Sequence, residues 1–231
     1  MTGRRRAAQA SAGSVRRPTP VDPDVLVPYP GPFDGAWNAE SVLVTGAGGV
    51  GADGSGDLLG SVVTGADLSG SRFSPLTLVD SSLRKADLSN AVWQQVVARR
   101  VELLGCRATG LRLSVDLADD LYVEDSRLDY ATIWIERVKG VAVFSGCTFR
   151  NATISGDLSR VVFAGCDFDG AEFVASSAAG CDLRTSALGG ARGLLTLRGA
   201  RVTPDQTISI ALRLAAEVGL RIDTDEDPPP A

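Results

Sequence analysis

Histidine is absent from the 231 residues of this chain, and its absence excludes several kinds of chemistry. Without an imidazole there is no His-based catalytic triad, no histidine general base and no histidine metal ligand. Long apolar runs are absent too, since none approaches the roughly 18 residues that a membrane-spanning helix needs. The arginines near the start are not followed by the apolar segment of a secretory signal. We therefore expect a protein of the cytoplasm.

Apolar residues recur every five positions from Leu58 to Gly193, which is the strongest pattern in the chain. With one residue inserted after Val138 and one deleted before Leu158, the period gives twenty-eight positions, of which twenty-seven are apolar. Only 44% of the chain is apolar, so chance does not account for the pattern. An α-helix or a flat strand would repeat with a shorter period. A fixed five-residue period predicts a solenoid, in which each repeat buries its apolar side chain by stacking on its neighbours.

The other positions of each pentad complete this interpretation. Two residues before the apolar centre stands a small residue, such as Ala66 or Ser81, which should point inward where little space remains. The residue between them is polar in most pentads and should face water. The two residues after the centre are turn formers, as in Ser69 and Gly70. Each pentad is therefore a short extended stretch followed by a corner.

The run Ala-Asp-Leu-Ser stands at 66–69 and 86–89, with close variants at 166–169 and 181–184. This pattern, sustained over residues 56–193, resembles the pentapeptide-repeat family. The resemblance implies an all-β solenoid: a right-handed quadrilateral parallel β-helix with four pentads to a coil and about seven coils. The best-known activity of that family is to bind DNA gyrase as a mimic of duplex DNA, which protects the enzyme from fluoroquinolones.

Composition divides the chain into five parts. Residues 1–20 form an arginine-rich arm that has nothing to bury and is predicted to be disordered. Residues 21–55 are predicted to form an extended N-terminal cap and a Gly-rich first coil, and residues 56–193 the β-helix. Residues 194–222 are predicted to form a C-terminal cap, and residues 223–231 an acidic disordered tail.

A helix over about 204–218 is predicted within the C-terminal cap. Thr203 is a suitable N-cap, Pro204 suits the first helical position, and Gln206 completes a capping box. A solenoid must close its open end, so we expect the apolar stripe of this helix to cover the last coil. The stripe consists of Ile208, Ala211, Leu212, Ala215 and Val218. Family members are often dimers through their C-terminal ends, so the resemblance makes this helix a candidate homodimer contact as well.

Two motifs that could bind a cofactor or a metal stand in the wrong context. Gly46, Gly48 and Gly51 spell G-x-G-x-x-G, but no helix-forming residues and no βαβ unit follow. The four cysteines occupy the inward small-residue position and form no CxxC pair. They are interpreted as free buried thiols, and we expect no metal and no cofactor. These cysteines are Cys106, Cys147, Cys166 and Cys181.

Two acids break the inside–outside pattern. Asp116 and Glu136 occupy the inward position and fall on one face in successive coils. Two buried carboxylates would raise each other's pKa, which gives the alternative function, an enzymatic or small-molecule site. The other explanation is a coil distorted here so that both acids reach solvent.

Acids and aromatic residues are also concentrated on the predicted surface. A run of acids in the coil that follows Asp116, which we call the acidic belt, precedes two aromatic residues that the five-residue period places at outward corners. Exposed aromatic residues beside acids are typical of a partner contact. These candidate contact residues are Asp119, Asp120, Glu124, Asp125, Asp129, Tyr130 and Trp134.

The sequence therefore predicts a scaffold without enzymatic activity that binds a macromolecular partner, with DNA gyrase as the leading named candidate. Mimicry of DNA requires acids along one face, and the net charge is −5. However, Arg99, Arg100 and Arg160 interrupt the row that contains Asp119 and Asp120. Direct contact with nucleic acid is expected only through the basic arm.

Overall fold

The structure, a computed structural model, describes residues 15–19, 22–29 and 31–221. Within these residues, fourteen strands are followed by one α-helix, α1, at Pro204–Glu217, and two short 3-10 helices lie at Pro23–Val25 and Leu194–Thr196. The strands are β1 Val27–Pro28, β2 Gly35–Glu40, β3 Val42–Val44, β4 Asp53–Leu59, β5 Val62–Thr64, β6 Arg72–Val79, β7 Ser82–Arg84, β8 Val92–Leu104, β9 Arg112–Glu124, β10 Thr132–Ile135, β11 Ala142–Ser145, β12 Thr153–Asp157, β13 Val161–Ala164 and β14 Glu172–Ser177.

All the strand pairs are parallel and join successive coils of one solenoid. Phe73 pairs with Trp93 and Trp93 with Leu113, so partners lie twenty residues, or four pentads, apart. Val123 pairs with Phe144, and Phe144 with Phe163, at separations of twenty-one and nineteen. The inserted and the deleted residue therefore cancel within one coil. The predicted parallel β-solenoid of about seven coils with a C-terminal helix is confirmed.

The corners explain the Ala-Asp-Leu-Ser motif. The carboxylate of Asp87 accepts a hydrogen bond from the backbone N–H of Ser89 at 2.9 Å, which fixes the turn. The next residue, Asn90, takes the left-handed conformation with φ 57°. Asp67 caps Ser69 in the same way, and hydrogen bonds from Ser69 hold the pKa of Asp67 below its usual value. Many aspartates of this surface are thus part of the turns.

The interior is a set of stacked side-chain rows, one from each side of the coil. Phe149 stacks on Phe168 with ring centroids 5.1 Å apart, and Phe144 stacks on Phe163 at 5.2 Å. The small inward residues fill the remaining space, and their hydroxyl groups donate to backbone carbonyls, as Ser81 does to Val79 at 2.8 Å. These rows join into one core along the rod.

Aromatic rings close the N-terminal end of the core. Phe33 is buried and meets the ring of Trp37 edge-on, with centroids 5.2 Å apart. Trp37 in turn meets Phe73 at 5.4 Å. Because β2 pairs with β4, this segment adds its own layer to the solenoid.

Helix α1 closes the other end mainly through polar contacts. The capping box of Thr203 and Gln206 is present, and Gln206 also donates to the carbonyls of Leu183 and Ser186, both at 2.7 Å. Glu217 accepts from the backbone N–H groups of Leu194 and Leu195 at 3.1 and 3.0 Å. These backbone groups have no further coil to bond with.

The predicted orientation of the helix stripe is wrong. Ile210 is buried and Leu214 packs partly against the core, whereas Ile208 and Leu212 are 78% and 67% exposed. Since Gln206, Ile210, Leu214 and Glu217 share one side of the helix, their contacts turn the apolar stripe toward solvent.

Several predictions concern residues outside the described ranges. The disordered arm falls there for residues 1–14 and 20, and the acidic tail falls there entirely. Residues 15–19 are described and lie against the solenoid. The division of the chain into five parts stays a prediction. In the described ranges, no helix has both the length and the apolar character that crossing a membrane requires.

Candidate partner-binding surface

The acidic belt wraps around one coil instead of forming a single patch. Asp120, Asp125 and Tyr130 stand at three successive corners, each with a positive φ, of 65°, 46° and 59°. Corners five residues apart point in different directions in a four-sided coil. No flat partner surface can therefore contact the whole belt at once.

The first corner of the belt is already paired with the N-terminal segment. Asp120 is only 3% exposed and accepts a hydrogen bond from Nε of Arg16 at 2.5 Å. Asp119 accepts from the other end of the same guanidinium at 3.2 Å and also pairs with Lys139 at 3.7 Å. Both carboxylates are thus partly neutralised.

The other two corners are more open. Tyr130 is 64% exposed and Asp125 is exposed, while Glu124 and Asp129 are half-buried. Asp129 accepts from the backbone N–H of Arg150 at 3.0 Å, so it helps to join two coils. Tyr130 is the large side chain that a partner could cover here.

Trp134 lies on the outward side of strand β10 and is held in place. Its indole N–H donates to the carboxylate of Glu136 at 3.2 Å, and the residue is 42% exposed. In the register of β10, β12 and β14, Trp134 aligns with Ser155 and then with Val174, which is 48% exposed. Trp134 and Val174 thus form an exposed apolar strip with a small residue between them.

Of the two explanations for Asp116 and Glu136, the structure shows the distorted coil, in which both acids reach solvent. Both residues are exposed, because Val115 and Ile135, each 1% exposed, take the inward position instead. The register between β8 and β9 shifts here: Val96 pairs with Val115 and Val97 with Leu117, so Asp116 has no partner in β8. Asp116 is the extra residue of this bulge and is pushed outward.

A third acid extends this row to the next coil. Asp157 follows Gly156, the partner of Ile135, so Asp116, Glu136 and Asp157 lie at one corner of three successive coils. Together with Arg137 they line an open depression. We call these three acids the acidic row. Over residues 15–19, 22–29 and 31–221, no group of three or more potential ligands is placed to hold a metal ion.

The cysteines lie in the core, not at a reactive site. All four are buried and free. Burial raises the pKa of Cys106 to about 11 and that of Cys181 to about 12. Since the thiolate is the reactive form, the raised pKa values of Cys106 and Cys181 disfavour reaction of these two thiols near neutral pH.

Sequence reasoning missed the contact between the N-terminal arginines and the solenoid. Arg16 is separated from Asp120 by 104 residues, and no local pattern marks such a contact. The sequence did contain one indication of this contact. The outward positions of the second side include Val62, Tyr122, Val143 and Val162, where water-facing residues would be expected to be polar. Such a row indicates a covered face.

Comparisons with known proteins find a family model and solved structures to which the chain is similar. The family model described as pentapeptide repeats matches residues 157–192 with eight copies. The chain is 20% identical to HetL, a pentapeptide repeat protein involved in heterocyst differentiation regulation from the cyanobacterium Nostoc, over 72% of this chain and 83% of that chain, with a TM-score of 0.40. It is 19% identical to trypsin-treated QnrB1, a plasmid-mediated fluoroquinolone resistance protein, over 82% of this chain and 100% of that chain, with a TM-score of 0.35. No curated protein matches the chain.

Proposed function

Since this chain is a pentapeptide-repeat protein, we propose that it is a scaffold without enzymatic activity whose outer surface binds a protein partner. The observation that carries this proposal is the exposed strip of Trp134 and Val174 beside the acidic row. An indole fixed by Glu136 loses little side-chain entropy on binding, and exposed tryptophans are frequent anchors of interfaces. The alternative enzymatic site loses its basis, because Asp116 and Glu136 are not buried together.

Within this proposal, DNA gyrase bound through DNA mimicry is the named candidate. The acidic row supports it by its charge, because its three acids follow one another along the rod at about 4.8 Å per coil; the phosphates of one DNA strand are closer, at roughly 3.4 Å. The opposing observation is that arginines pair with acids on another side of the rod. Arg107 lies 3.5 Å from Asp87 and Arg150 lies 2.8 Å from Asp167. A mimic would thus present one anionic corner and not a uniformly anionic rod.

A supercoiling assay tests this candidate. Purified protein is expected to inhibit gyrase at micromolar concentration, and Asp116→Asn/Glu136→Gln/Asp157→Asn is expected to weaken inhibition about tenfold, or about 1.4 kcal/mol. The matched control, Glu40→Gln/Asp53→Asn/Asp205→Asn, removes the same charge from exposed acids elsewhere and should inhibit like the wild type.

If the wild type does not inhibit supercoiling, gyrase is excluded as the partner, but the proposal of a protein-binding scaffold is unaffected. That broader proposal is tested by comparing the proteins that wild type and Trp134→Ala retain from a cell lysate. A partner kept by the wild type and lost by the variant supports it. Identical retention by the two proteins would count against the Trp134 strip as the contact.

We further propose that the exposed stripe of α1 joins two copies of the chain. Ile208, Leu212 and Val218 are 78%, 67% and 57% exposed, and Leu220, at 63%, continues the apolar surface. Sedimentation should show a dimer that Leu212→Arg converts to a monomer, because a charge would be buried in an apolar contact. The control Arg213→Glu changes an exposed residue on the other side of the helix and should leave the dimer intact. A wild-type monomer at high micromolar concentration would contradict the proposal.

The cytoplasmic location also remains a proposal, supported by the four free thiols. Cell fractionation checks it.

A further inference from the structure

We propose that the second side of the solenoid carries a binding groove for arginine-containing segments of a protein partner, and that Arg16 and Arg17 of the chain itself occupy this groove as an internal competitor. The inference rests on the proposed function as a protein-binding scaffold and specifies a second contact and its chemistry. We call the site the arginine groove; it is formed by Glu102, Asp119, Asp120 and Tyr122.

Arg17 occupies the centre of the groove. Its guanidinium carbon lies 3.4 Å from the centroid of the Tyr122 ring, which is a close cation–π contact. Its Nη1 lies 3.6 Å from a carboxylate oxygen of Glu102. Glu102 and Tyr122 are register partners on β8 and β9, so the carboxylate and the ring stand side by side on neighbouring coils. One guanidinium therefore contacts both.

The carboxylate of Glu102 is held by the solenoid independently of Arg17. Its other oxygen accepts a hydrogen bond from the hydroxyl of Ser82 at 2.7 Å and one from Arg84 at 3.3 Å. The residue is 7% exposed, which is unusual for a glutamate on the outer side of a coil. Part of this burial comes from the arm itself; what the solenoid supplies on its own is a carboxylate oriented by Ser82 and Arg84, to which an arginine can bind.

Arg16 occupies a second position beside the first. Its guanidinium bridges Asp119 and Asp120, and Asp120 is held at a corner in the left-handed conformation. Two adjacent arginines are therefore recognised by two separate sets of acceptors. The planar guanidinium suits both, since it stacks on an aromatic ring and donates from two nitrogens at once, whereas a lysine ammonium is a point charge.

The groove is larger than the segment that occupies it. A cavity of about 390 Å³ extends along the arm beside Pro18 and Thr19, over Val62, Ser82 and Leu104. The side chains of Arg16 and Arg17 are still 65% and 40% exposed. The bound arginines are thus accessible to exchange, and the cavity leaves room for further residues of an incoming segment.

Tethering explains how the arm would set the affinity for a partner. A short tether gives an internal ligand an effective concentration on the order of millimolar. An external segment binds only to those molecules in which the arm has left the groove. Its apparent association constant is therefore the intrinsic constant multiplied by the fraction of such molecules. The arm therefore makes the groove respond only to segments that bind better than its own two arginines.

A peptide-binding experiment with full-length protein tests this inference. The probe is a fluorescent peptide of residues 12–19, Ala-Gly-Ser-Val-Arg-Arg-Pro-Thr. We expect it to bind the variant Arg16→Ala/Arg17→Ala about tenfold more tightly than the wild type, because the internal competitor is gone. In that background, Glu102→Gln and Tyr122→Leu should each weaken binding about tenfold.

Two controls separate the groove from general charge attraction. Tyr130→Leu, at an exposed tyrosine on another corner, should leave peptide binding unchanged. A peptide in which both arginines are lysines should bind several-fold more weakly, since it cannot stack on Tyr122 in the same way. Thermal unfolding is followed for every variant, and Glu102→Gln carries the test if Tyr122→Leu does not fold.

Equal affinity for wild type and the arm variant would overturn the inference, as would loss of binding in the Tyr130→Leu control. The outcome is independent of gyrase and of any lysate partner, because the probe is the chain's own segment. A negative supercoiling assay and a negative peptide assay therefore reject different proposals.

Discussion

Replacing Phe168 by alanine is expected to lower the free energy of unfolding by about 3–5 kcal/mol. Phe168 is fully buried, and its ring contacts Phe149, Phe163 and Phe173 at centroid distances of 5.1, 5.2 and 5.0 Å. The hydrogen-bonded coils on either side hold the walls of the resulting cavity apart, so the site collapses only partly. Aromatic contacts add to the loss. Denaturant unfolding followed by circular dichroism measures the change.

Phe168→Leu is the matched control at the same site. It keeps most of the buried volume and should cost less than about 1.5 kcal/mol. If Phe168→Ala also cost less than about 1 kcal/mol, the phenylalanine rows would contribute little, and stability would have to be assigned to the hydrogen bonds between coils.

Gly156→Ala is expected to destabilise the protein by a similar amount, about 3–5 kcal/mol. Gly156 lies in β12 with φ 93°, a conformation that a residue with a Cβ rarely adopts. An added Cβ would also lie 2.0 Å from the carbonyl oxygen of Ile135 on the preceding coil. That oxygen belongs to the backbone of β10, so relief of the clash requires the two coils to separate. Thermal and denaturant unfolding measure the effect.

Gly65→Ala separates the effect of the clash from that of the dihedral angle. Gly65 has φ 57°, but nothing lies within 4 Å of an added Cβ. The same corner one coil later is Lys85, with φ 52°, so this position accepts a side chain. We expect a loss of about 1 kcal/mol. A similar loss in the two variants would show that the close approach of Ile135 contributes nothing.

The five-residue period was sufficient to predict the architecture because it is repeated so often. Each apolar centre, such as Leu88 or Phe149, fixes which way its neighbours point, and the pairing twenty residues apart follows from four pentads. Even the insertion near Val141 and the deletion near Ser155 were visible, since each displaces every later centre by one residue. The prediction of buried, free cysteines followed from the same period and is confirmed.

Counting residues failed where the backbone departs from the average coil. The five-residue period places Asp116 at the inward position, but the bulge turns Val115 inward instead. No nearby residue type in the sequence indicates this bulge. The helix stripe was assigned by hydrophobicity alone, whereas Gln206 and Glu217 hydrogen-bond to the backbone of the last coil and so decide the rotation of α1. Arg16 and Arg17 contact residues about a hundred positions later in the chain, and a five-residue period does not predict contacts over such separations.

The parallel pairing of coils twenty residues apart gives the rod a directional mechanical response. Hydrogen bonds between coils point along the rod axis, so a pull on its two ends loads the bonds of the terminal coil first. Each coil that detaches releases twenty residues, which lengthens the chain by roughly 60 Å. Stretching should therefore proceed in equal steps that begin at an end, where Gln206 and Glu217 hold α1 as the first bonds to break.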